Sequence, residues 1–236
     1  MQRQIPLPIS ESARPDFDNY ARGSNGLVVD MLAGLWRDDK VRQLFLCGPA
    51  QSGKSHLLAA LHGQYLSATR RSFYISLDQT RQQSSGLTPA LLESLDNYDL
   101  IVLDDVVQVA GQPDWETSLF NLINFVREGQ GKMVFSAASA PSLEHWKLAD
   151  LVSRLIWGPV LKLVPLNEAE VRDAMFAAAE QRGMKLDSEA ADFLLKRYRR
   201  DASSLLSAIS VLDTESLAAG RERITIPFLK QCFVFD

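Results

Sequence analysis

Short runs of apolar residues recur along the chain between residues 44 and 163. Five such runs lie at 44–47, 72–77, 100–103, 132–137 and 160–163. Apolar residues between the runs follow helical spacing, as Leu119, Leu122, Ile123 and Val126 do within 115–128. Strands that alternate with helices indicate a parallel sheet with both faces covered. The pattern therefore predicts an α/β domain with a five-stranded parallel sheet and helices on both faces.

The pattern changes after residue 165, where the apolar positions take helical spacing. Asn167 caps a predicted helix, because Glu170 stands three residues later as in a capping box. Asp187 is predicted to cap a second helix, and Leu205, Ile209 and Leu212 mark a third. We therefore expect an extended segment over 1–11, the α/β domain over 12–165 and a small helical domain over 166–236.

Composition and charge limit the classes of protein to which the chain can belong. With 236 residues, of which 46% are hydrophobic, it can bury a full core. No run approaches the roughly 18 apolar residues that span a bilayer, and the amino end lacks a secretory signal pattern, so we expect a cytoplasmic protein without membrane contact. The net charge of -4 argues against a broad basic surface, but the basic residues within 196–200 leave a weak local contact with DNA open.

A glycine-bearing loop joins the first apolar run to a helical segment. The stretch GPAQSGKS at 48–55 satisfies G-x-x-x-x-G-K-[ST], with a strand before it and a helix after it. Such a loop surrounds phosphates with backbone N–H groups at a helix amino end. Lys54 is predicted to reach the β- and γ-phosphates and Ser55 to offer its hydroxyl to Mg²⁺. The candidate nucleotide-binding residues here are Gly48, Pro49, Ala50, Gln51, Ser52, Gly53, Lys54, Ser55 and His56.

Two aspartates follow the third apolar run directly. Asp104 and Asp105 stand at the carboxyl end of a predicted buried strand, where parallel sheets place ligand-binding groups. Acidic pairs are also common in turns, but downstream of a phosphate loop the pair is typical of a Walker B segment. Asp104 is predicted to orient the Mg²⁺ shell, and Asp105 to position or activate a water molecule.

The amino end carries an apolar segment, QIPLPI at 4–9, that is incompatible with a helix. Its two prolines restrict the backbone and remove donors, so the segment is predicted to be extended. From the residues alone, two interpretations stay open. The segment is either an edge strand or frayed terminus, or a peptide that enters the pocket of a partner.

A phosphate-loop domain followed by a helical lid resembles the AAA+ ATPases, and within them the replication initiator DnaA. The segment FDNYARGSN at 17–25 resembles the opening of the DnaA ATPase domain, which crosses over the base and implies that Asn25 binds the nucleotide. Asp104-Asp105 replaces the usual Asp-Glu, as in DnaA. The segment LVSRLIWG at 151–158 resembles the box that carries the DnaA arginine finger, which implies that Arg154 is a catalytic residue that acts in trans, while Asp105 keeps the catalytic role toward water predicted for the acidic pair.

With the amino-terminal segment included, the chain resembles the Hda family, the regulatory inactivators of DnaA. The sequence ends soon after Lys230 without the helix-turn-helix domain of DnaA. The resemblance implies a protein bound to ADP or ATP with Mg²⁺ that docks on the β sliding clamp of DNA polymerase III and stimulates hydrolysis of DnaA-bound ATP. It also implies an indirect contact with DNA through the clamp, and it leaves a homo-oligomer open. The implied clamp-binding residues are Gln4, Ile5, Leu7, Pro8 and Ile9.

Two positions depart from the DnaA pattern. Ala138-Ser139 stands where DnaA-like proteins carry Asp-Arg, and Ser203 stands at the lid sensor arginine, with Arg199 and Arg200 upstream as alternative cations. Fewer charges around the γ-phosphate predict weak or absent intrinsic ATP hydrolysis. The alternative function is a helicase-loader or transposition-type AAA+ ATPase that acts on single-stranded DNA or on a helicase. A phosphate-loop kinase is disfavoured, because no basic lid or acceptor site is evident.

Overall fold

The computed structural model describes residues 14–78, 88–95, 97–198 and 202–234. Within it the chain divides into two compact units. One unit contains Pro15–Tyr20 and Asn25–Pro165, and the other contains Ala21–Ser24 and the chain from Leu166 onward. The first unit carries the phosphate loop and the paired aspartates, and the second is the helical region that follows them.

The first unit is built on a parallel sheet of five strands, as the apolar runs predicted. The strands are β1 (Gln43–Cys47), β2 (Ser72–Ser76), β3 (Leu100–Asp104), β4 (Lys132–Ala137) and β5 (Val160–Lys162). Their order across the sheet is β2-β3-β4-β1-β5, and every pair is parallel. Because all strands point the same way, the loops that follow β1, β3 and β4 meet at one edge of the sheet.

Helices cover both faces of this sheet, which explains why the central strands are buried throughout. They are α1 (Gly26–Gly34), α2 (Lys54–Ser67), α3 (Pro113–Glu128) and α4 (Ala149–Leu155), with 3₁₀ turns at Gly23–Asn25, Leu35–Arg37, Pro89–Ser94 and Val106–Val109. Alternate residues of β1 enter different cores. Leu44 and Leu46 pack with α1 and α2, whereas Phe45 and Cys47 pack with α3 and α4.

The second unit is a helical lid, as predicted, around a core of its own that includes Met175, Leu194 and Phe228. Its elements are α5 (Glu168–Glu180), β6 (Lys185–Leu186), α6 (Ser188–Arg197), α7 (Ala202–Ala219), β7 (Arg223–Ile224) and α8 (Ile226–Cys232), and β6 pairs with β7 in parallel. Helix α8 was not predicted. None of the described helices combines the length and the apolar content needed to cross a membrane.

The two predicted helix caps of the lid differ in outcome. The capping box is confirmed, because Asn167 Oδ1 accepts from the Glu170 N–H at 3.0 Å and Glu170 Oε2 accepts from the Asn167 N–H at 2.8 Å. Asp187 does occupy the residue before α6, but its side chain makes no cap hydrogen bond. Its Oδ1 instead accepts from Arg223 Nε at 2.8 Å, a contact that the local sequence pattern does not indicate.

Candidate functional site

The phosphate loop lies between the end of β1 and the start of α2. Its backbone takes left-handed conformations at Gln51, with φ of 62°, and at Gly53, with φ of 87°. Gly48 is needed for a different reason, because a Cβ atom there would lie 3.0 Å from the Leu163 carbonyl oxygen and 2.8 Å from Ser52 Oγ. The loop therefore turns tightly between β5 and the amino end of α2, where a helix presents free N–H groups.

Lys54 is folded beneath this loop. The side chain is buried, and its Nζ donates to the Gly48 carbonyl at 2.9 Å and to the Pro49 carbonyl at 3.0 Å. An ammonium group has three donors, so one remains beyond these two bonds. Ser52 Oγ is also buried and has no hydrogen-bond partner among the described residues. Both groups leave hydrogen-bonding capacity at the place where the sequence predicts a phosphate.

A segment before α1 covers the loop from the outside. The Tyr20 hydroxyl donates to the Ser52 carbonyl at 2.9 Å, and a Cβ atom at Gly53 would lie 2.5 Å from the Tyr20 ring. His56 Nε2 lies 3.0 Å from the Asp16 carbonyl oxygen. Burial raises the pKa of Tyr20 to about 12, so the hydroxyl stays a donor at neutral pH. Sequence reasoning noted this segment but did not single out Tyr20 as a site residue.

Asn25 is buried, and both polar atoms of its side-chain amide form hydrogen bonds with the backbone of one residue. Its Nδ2 donates to the Val164 carbonyl at 3.0 Å, and its Oδ1 accepts from the Val164 N–H at 2.9 Å. This pair fixes the start of α1 to the segment after β5. The predicted contact of Asn25 with a nucleotide stays a prediction.

Asp104 closes β3 with its carboxylate almost wholly buried, at 1% exposure. Both oxygens accept hydrogen bonds from hydroxyl groups. The Ser136 hydroxyl donates to Oδ1, and the Tyr74 hydroxyl donates to Oδ2 at 2.8 Å. These donors come from the strands on either side of β3, so the orientation of the carboxylate depends on the order of strands in the sheet.

Asp105 follows in a left-handed backbone conformation, with φ of 56°. Its N–H donates to Ser136 Oγ at 2.9 Å, so one hydroxyl holds both aspartates. Burial raises the pKa of Asp105, the negative charge of Asp104 raises it further, and the ammonium of Lys54 opposes the rise. The loops that follow β1 and β3 lie at the same edge of the sheet, so the loop lysine and the acidic pair are near enough to interact electrostatically.

Ser136 was missed as a site residue by sequence reasoning, although the β4 run that contains it was predicted. Ser136 is fully buried in β4, where the residues on either side of it, Phe135 and Ala137, are apolar. A lone hydroxyl inside such a run is the signal that identifies it, because a buried polar group requires a partner.

The residues at this edge fit a nucleotide with Mg²⁺. The loop amides and the amino end of the 14-residue helix α2 suit phosphate oxygens, and the orphaned Ser52 hydroxyl adds a donor. Ser55 is exposed in the first turn of α2 and Asp104 ends β3, so a hydroxyl and a carboxylate stand at the edge of the sheet where the loops after β1 and β3 meet. Oxygen donors of these two kinds are the ligands that Mg²⁺ prefers.

Arg154 lies in the last turn of α4, on the side of the sheet covered by α3. Its guanidinium donates through Nη1 to Asn124 Oδ1 and lies 4.2 Å over the Phe120 ring. Its Nε is buried and has no hydrogen-bond partner among the described residues. Arg154 is therefore half-buried against α3, with an unsatisfied donor, rather than a solvated side chain at a helix end.

Helix α4 is held in place by two buried polar side chains. Gln43 Nε2 donates to the carbonyls of Arg154 at 2.6 Å and Leu155 at 2.9 Å. The Glu116 carboxylate, at 1% exposure, accepts from the N–H groups of Gly111 at 2.7 Å, Lys147 at 3.1 Å and Leu148 at 2.7 Å. These contacts position a helix of seven residues that is too short to be stable alone.

We expect the substitution Glu116→Gln to lower the free energy of unfolding by about 2–3 kcal/mol, because an amide nitrogen then faces backbone donors and leaves a buried N–H unsatisfied. Urea denaturation measures the change. Glu128→Gln, an exposed glutamate at the other end of α3, is the matched control and is expected to have no measurable effect. An unfolding midpoint of Glu116→Gln equal to that of the control would contradict this role of the carboxylate.

The positions at which the sequence departs from the DnaA pattern have different surroundings, and several predicted residues lie outside the described residues. Ala138 and Ser139 are exposed directly after β4. Ser203 lies in the first turn of α7. The alternative sensor cations Arg199 and Arg200 lie outside the described residues, and so do the predicted clamp-binding residues Gln4, Ile5, Leu7, Pro8 and Ile9.

Two families match the chain at the level of sequence. Residues 168–233 match the family described as Hda, lid domain, and residues 40–172 match the family described as AAA domain. An uncharacterized protein of Haemophilus influenzae is 36% identical over 232 residues, which cover 98% of each chain. The match over the lid agrees with the predicted resemblance.

Solved structures of DnaA share the fold. The chain is similar to domain III of DnaA from Thermotoga maritima, with a TM-score of 0.73 and 21% identity over 92% of this chain and 95% of that one. It is also similar to AMPPCP-bound DnaA from Aquifex aeolicus, with a TM-score of 0.69 and 20% identity over 86% of this chain and 67% of that one. The predicted AAA+ fold is confirmed.

Proposed function

Because this chain belongs to the DnaA-like AAA+ proteins of the Hda type, we propose that it is a negative regulator of replication initiation that stimulates hydrolysis of DnaA-bound ATP. In this proposal it docks on the DNA polymerase sliding clamp and lends Arg154 to the nucleotide of DnaA. The observation that carries the proposal is the position of Arg154, whose guanidinium is held on α3 with a buried Nε that lacks a partner.

The chemistry of Arg154 suits this role. A planar guanidinium spreads several donors over a charge that develops on phosphoryl oxygens, and it stays charged at all physiological pH values. An arginine supplied in trans to a nucleotide hydrolase raises the rate by about 10³–10⁵. To act on a neighbour, Arg154 exchanges its bond with Asn124 for phosphate oxygens, and the Phe120 ring supports the extended side chain. Gln43 and Glu116 keep the backbone of α4 fixed meanwhile.

The nucleotide of this chain itself has a structural role in the proposal. ADP or ATP would be held by the backbone N–H groups of the phosphate loop, by Lys54 and by Ser55, and Mg²⁺ held by Ser55 and Asp104 would neutralise charge shared between the phosphates. In the proposal Asp105 orients water, but Ala138 and Ser139 bring no charge to the γ-phosphate. Intrinsic hydrolysis is therefore slow, and the bound state that supports activity is ADP or unhydrolysed ATP.

In this proposal the amino-terminal segment binds the clamp. Burying Ile5, Leu7 and Ile9 in an apolar pocket contributes about 1.5–3 kcal/mol each, while ordering the peptide costs about 1 kcal/mol per residue. A single contact is therefore weak. Binding gains strength from a clamp with more than one pocket, or from DnaA on the same DNA, because either raises the effective concentration. This dependence restricts the activity to DNA on which clamps are loaded.

The central test measures hydrolysis of DnaA-bound ATP with and without DNA-loaded clamp, for the intact chain and for a chain that lacks Met1 to Ser10. We expect stimulation only when the clamp and the amino-terminal segment are both present. A Gln4→Ala variant is expected to lose most of the clamp-dependent stimulation, and Gln2→Ala, its matched control, is expected to keep it. Stimulation that ignores both the clamp and the segment would contradict the proposal.

A further inference from the structure

Tyr74 lies on β2 and reaches the Walker B carboxylate on the neighbouring strand. Its hydroxyl donates to Asp104 Oδ2 at 2.8 Å. In the register of the two strands Tyr74 stands opposite Val102, and Asp104 stands opposite Ser76. Because side chains two residues apart share a face, Val102 and Asp104 point to the same side, and the tyrosine ring extends along that side to the carboxylate.

The ring of Tyr74 is itself supported by the helix that follows the phosphate loop. Its centroid lies 5.9 Å from that of His62 on α2, and His62 Nδ1 lies 2.7 Å from Ser72 Oγ on the same strand as Tyr74. Burial lowers the pKa of His62, so this imidazole is neutral at physiological pH. The tyrosine ring is thus held by packing between α2 and the sheet, and this packing fixes the position of its hydroxyl.

The two hydroxyls determine how the carboxylate is oriented. A carboxylate has about four lone-pair positions, of which Ser136 and Tyr74 take one on each oxygen. The remaining positions can accept bonds from a further ligand. Without Tyr74, Oδ2 is a buried acceptor that has lost a partner, and Ser136 alone does not prevent rotation of the group.

We propose that Tyr74 is a positioning residue for Mg²⁺ that acts through Asp104, and this inference rests on the proposed binding of nucleotide and Mg²⁺. Partners that orient a metal-binding side chain change metal affinity by about 10–100-fold when they are removed. Tyr74→Phe keeps the ring and its packing on His62 but deletes the hydroxyl. Its effect is therefore confined to the Mg²⁺ dependence of nucleotide binding, and binding through the loop amides and Lys54 is unchanged.

The experiment titrates Mg²⁺ into a fluorescent ADP analogue bound to the full chain, and repeats the binding measurement in EDTA. We expect Tyr74→Phe to raise the Mg²⁺ concentration for half-maximal enhancement by about 10–100-fold, with unchanged affinity in EDTA. Tyr65→Phe is the matched control, because the Tyr65 hydroxyl lies on α2, is buried and has no hydrogen-bond partner among the described residues. It is expected to titrate as the unaltered chain does.

An Asp104→Asn background separates positioning from a general structural effect. If Tyr74 acts through Asp104, Tyr74→Phe adds nothing in that background. An equal effect in both backgrounds, or a Mg²⁺ dependence of Tyr74→Phe identical to that of the unaltered chain, would overturn the inference. Failure of the unaltered chain to bind the analogue would instead overturn the proposed nucleotide site, and ADP binding that Mg²⁺ does not enhance would overturn the role of Tyr74 alone.

Discussion

Replacing Arg154 by alanine is expected to remove the stimulation of DnaA-bound ATP hydrolysis while clamp binding stays intact. The rate is expected to fall by about 10³-fold or more, toward that of DnaA alone, because the variant lacks the guanidinium that is proposed to stabilise the charge on the departing γ-phosphate. The Arg154 side chain packs on the surface of α3, so its removal exposes the Phe120 ring without opening the core. The measurement is hydrolysis of radiolabelled ATP on DnaA with DNA-loaded clamp.

Two variants control for charge and for surface position. Arg127→Ala removes an exposed arginine of α3, whose guanidinium lies 4.1 Å from the centre of the Trp157 ring, and is expected to retain most of the stimulation. Arg154→Lys keeps the charge but loses the planar fork of donors, and it is expected to recover little of the activity. An Arg154→Ala protein that stimulates hydrolysis as the unaltered chain does would remove Arg154 from the mechanism.

The parallel sheet was predictable because its central strands β1, β3 and β4 are buried along their whole length. A strand such as β3 is a continuous apolar run that ends in a charged pair, and such runs are visible without any tertiary information. The phosphate loop was predictable for a similar reason, since the positions that matter are consecutive. The lid helices α5, α6 and α7 followed from apolar spacing.

The missed parts of the site depend on contacts that are distant in sequence. Glu116 is an acid in the first turn of α3, where local rules indicate only a favourable helix dipole. Its actual partners include the N–H groups of Lys147 and Leu148, and they are known only once the loop before α4 is folded. The hydrogen bonds of Asp104 likewise require the order of β2, β3 and β4, which no single segment encodes.

The structure also changes the interpretation of Arg154. The sequence box implies a finger but does not indicate what holds its side chain, and the structure shows that Asn124 and Phe120 on another helix contact it. A side chain that packs on an aromatic ring has already lost much of its conformational freedom. It therefore loses less entropy on binding a phosphate than a fully hydrated side chain would, and its unsatisfied donor is available for that bond.

The second large effect is expected at Lys54, where Lys54→Met should weaken binding of ADP by about 30–1000-fold. Charge-assisted bonds to phosphate are worth about 1.5–3 kcal/mol each, and part of that gain is offset because Lys54 first gives up its bonds to the Gly48 and Pro49 carbonyls. A net loss of about 2–4 kcal/mol corresponds to this range of affinity. Calorimetric titration of ADP in the presence of Mg²⁺ measures it directly.

Lys162→Met is the matched control for Lys54→Met, because Lys162 is an exposed lysine that ends β5 and pairs in register with Cys47, the residue before the phosphate loop. Loss of its charge is expected to change ADP affinity little, since an exposed ammonium is screened by water and salt. Circular dichroism establishes that both variants are folded, which matters because Lys54→Met leaves two loop carbonyls without their donor. If Lys54→Met and Lys162→Met bound ADP equally tightly, the bonds seen between Lys54 and the loop would be purely structural, and the phosphates would have to be held by the backbone amides and the α2 amino end alone.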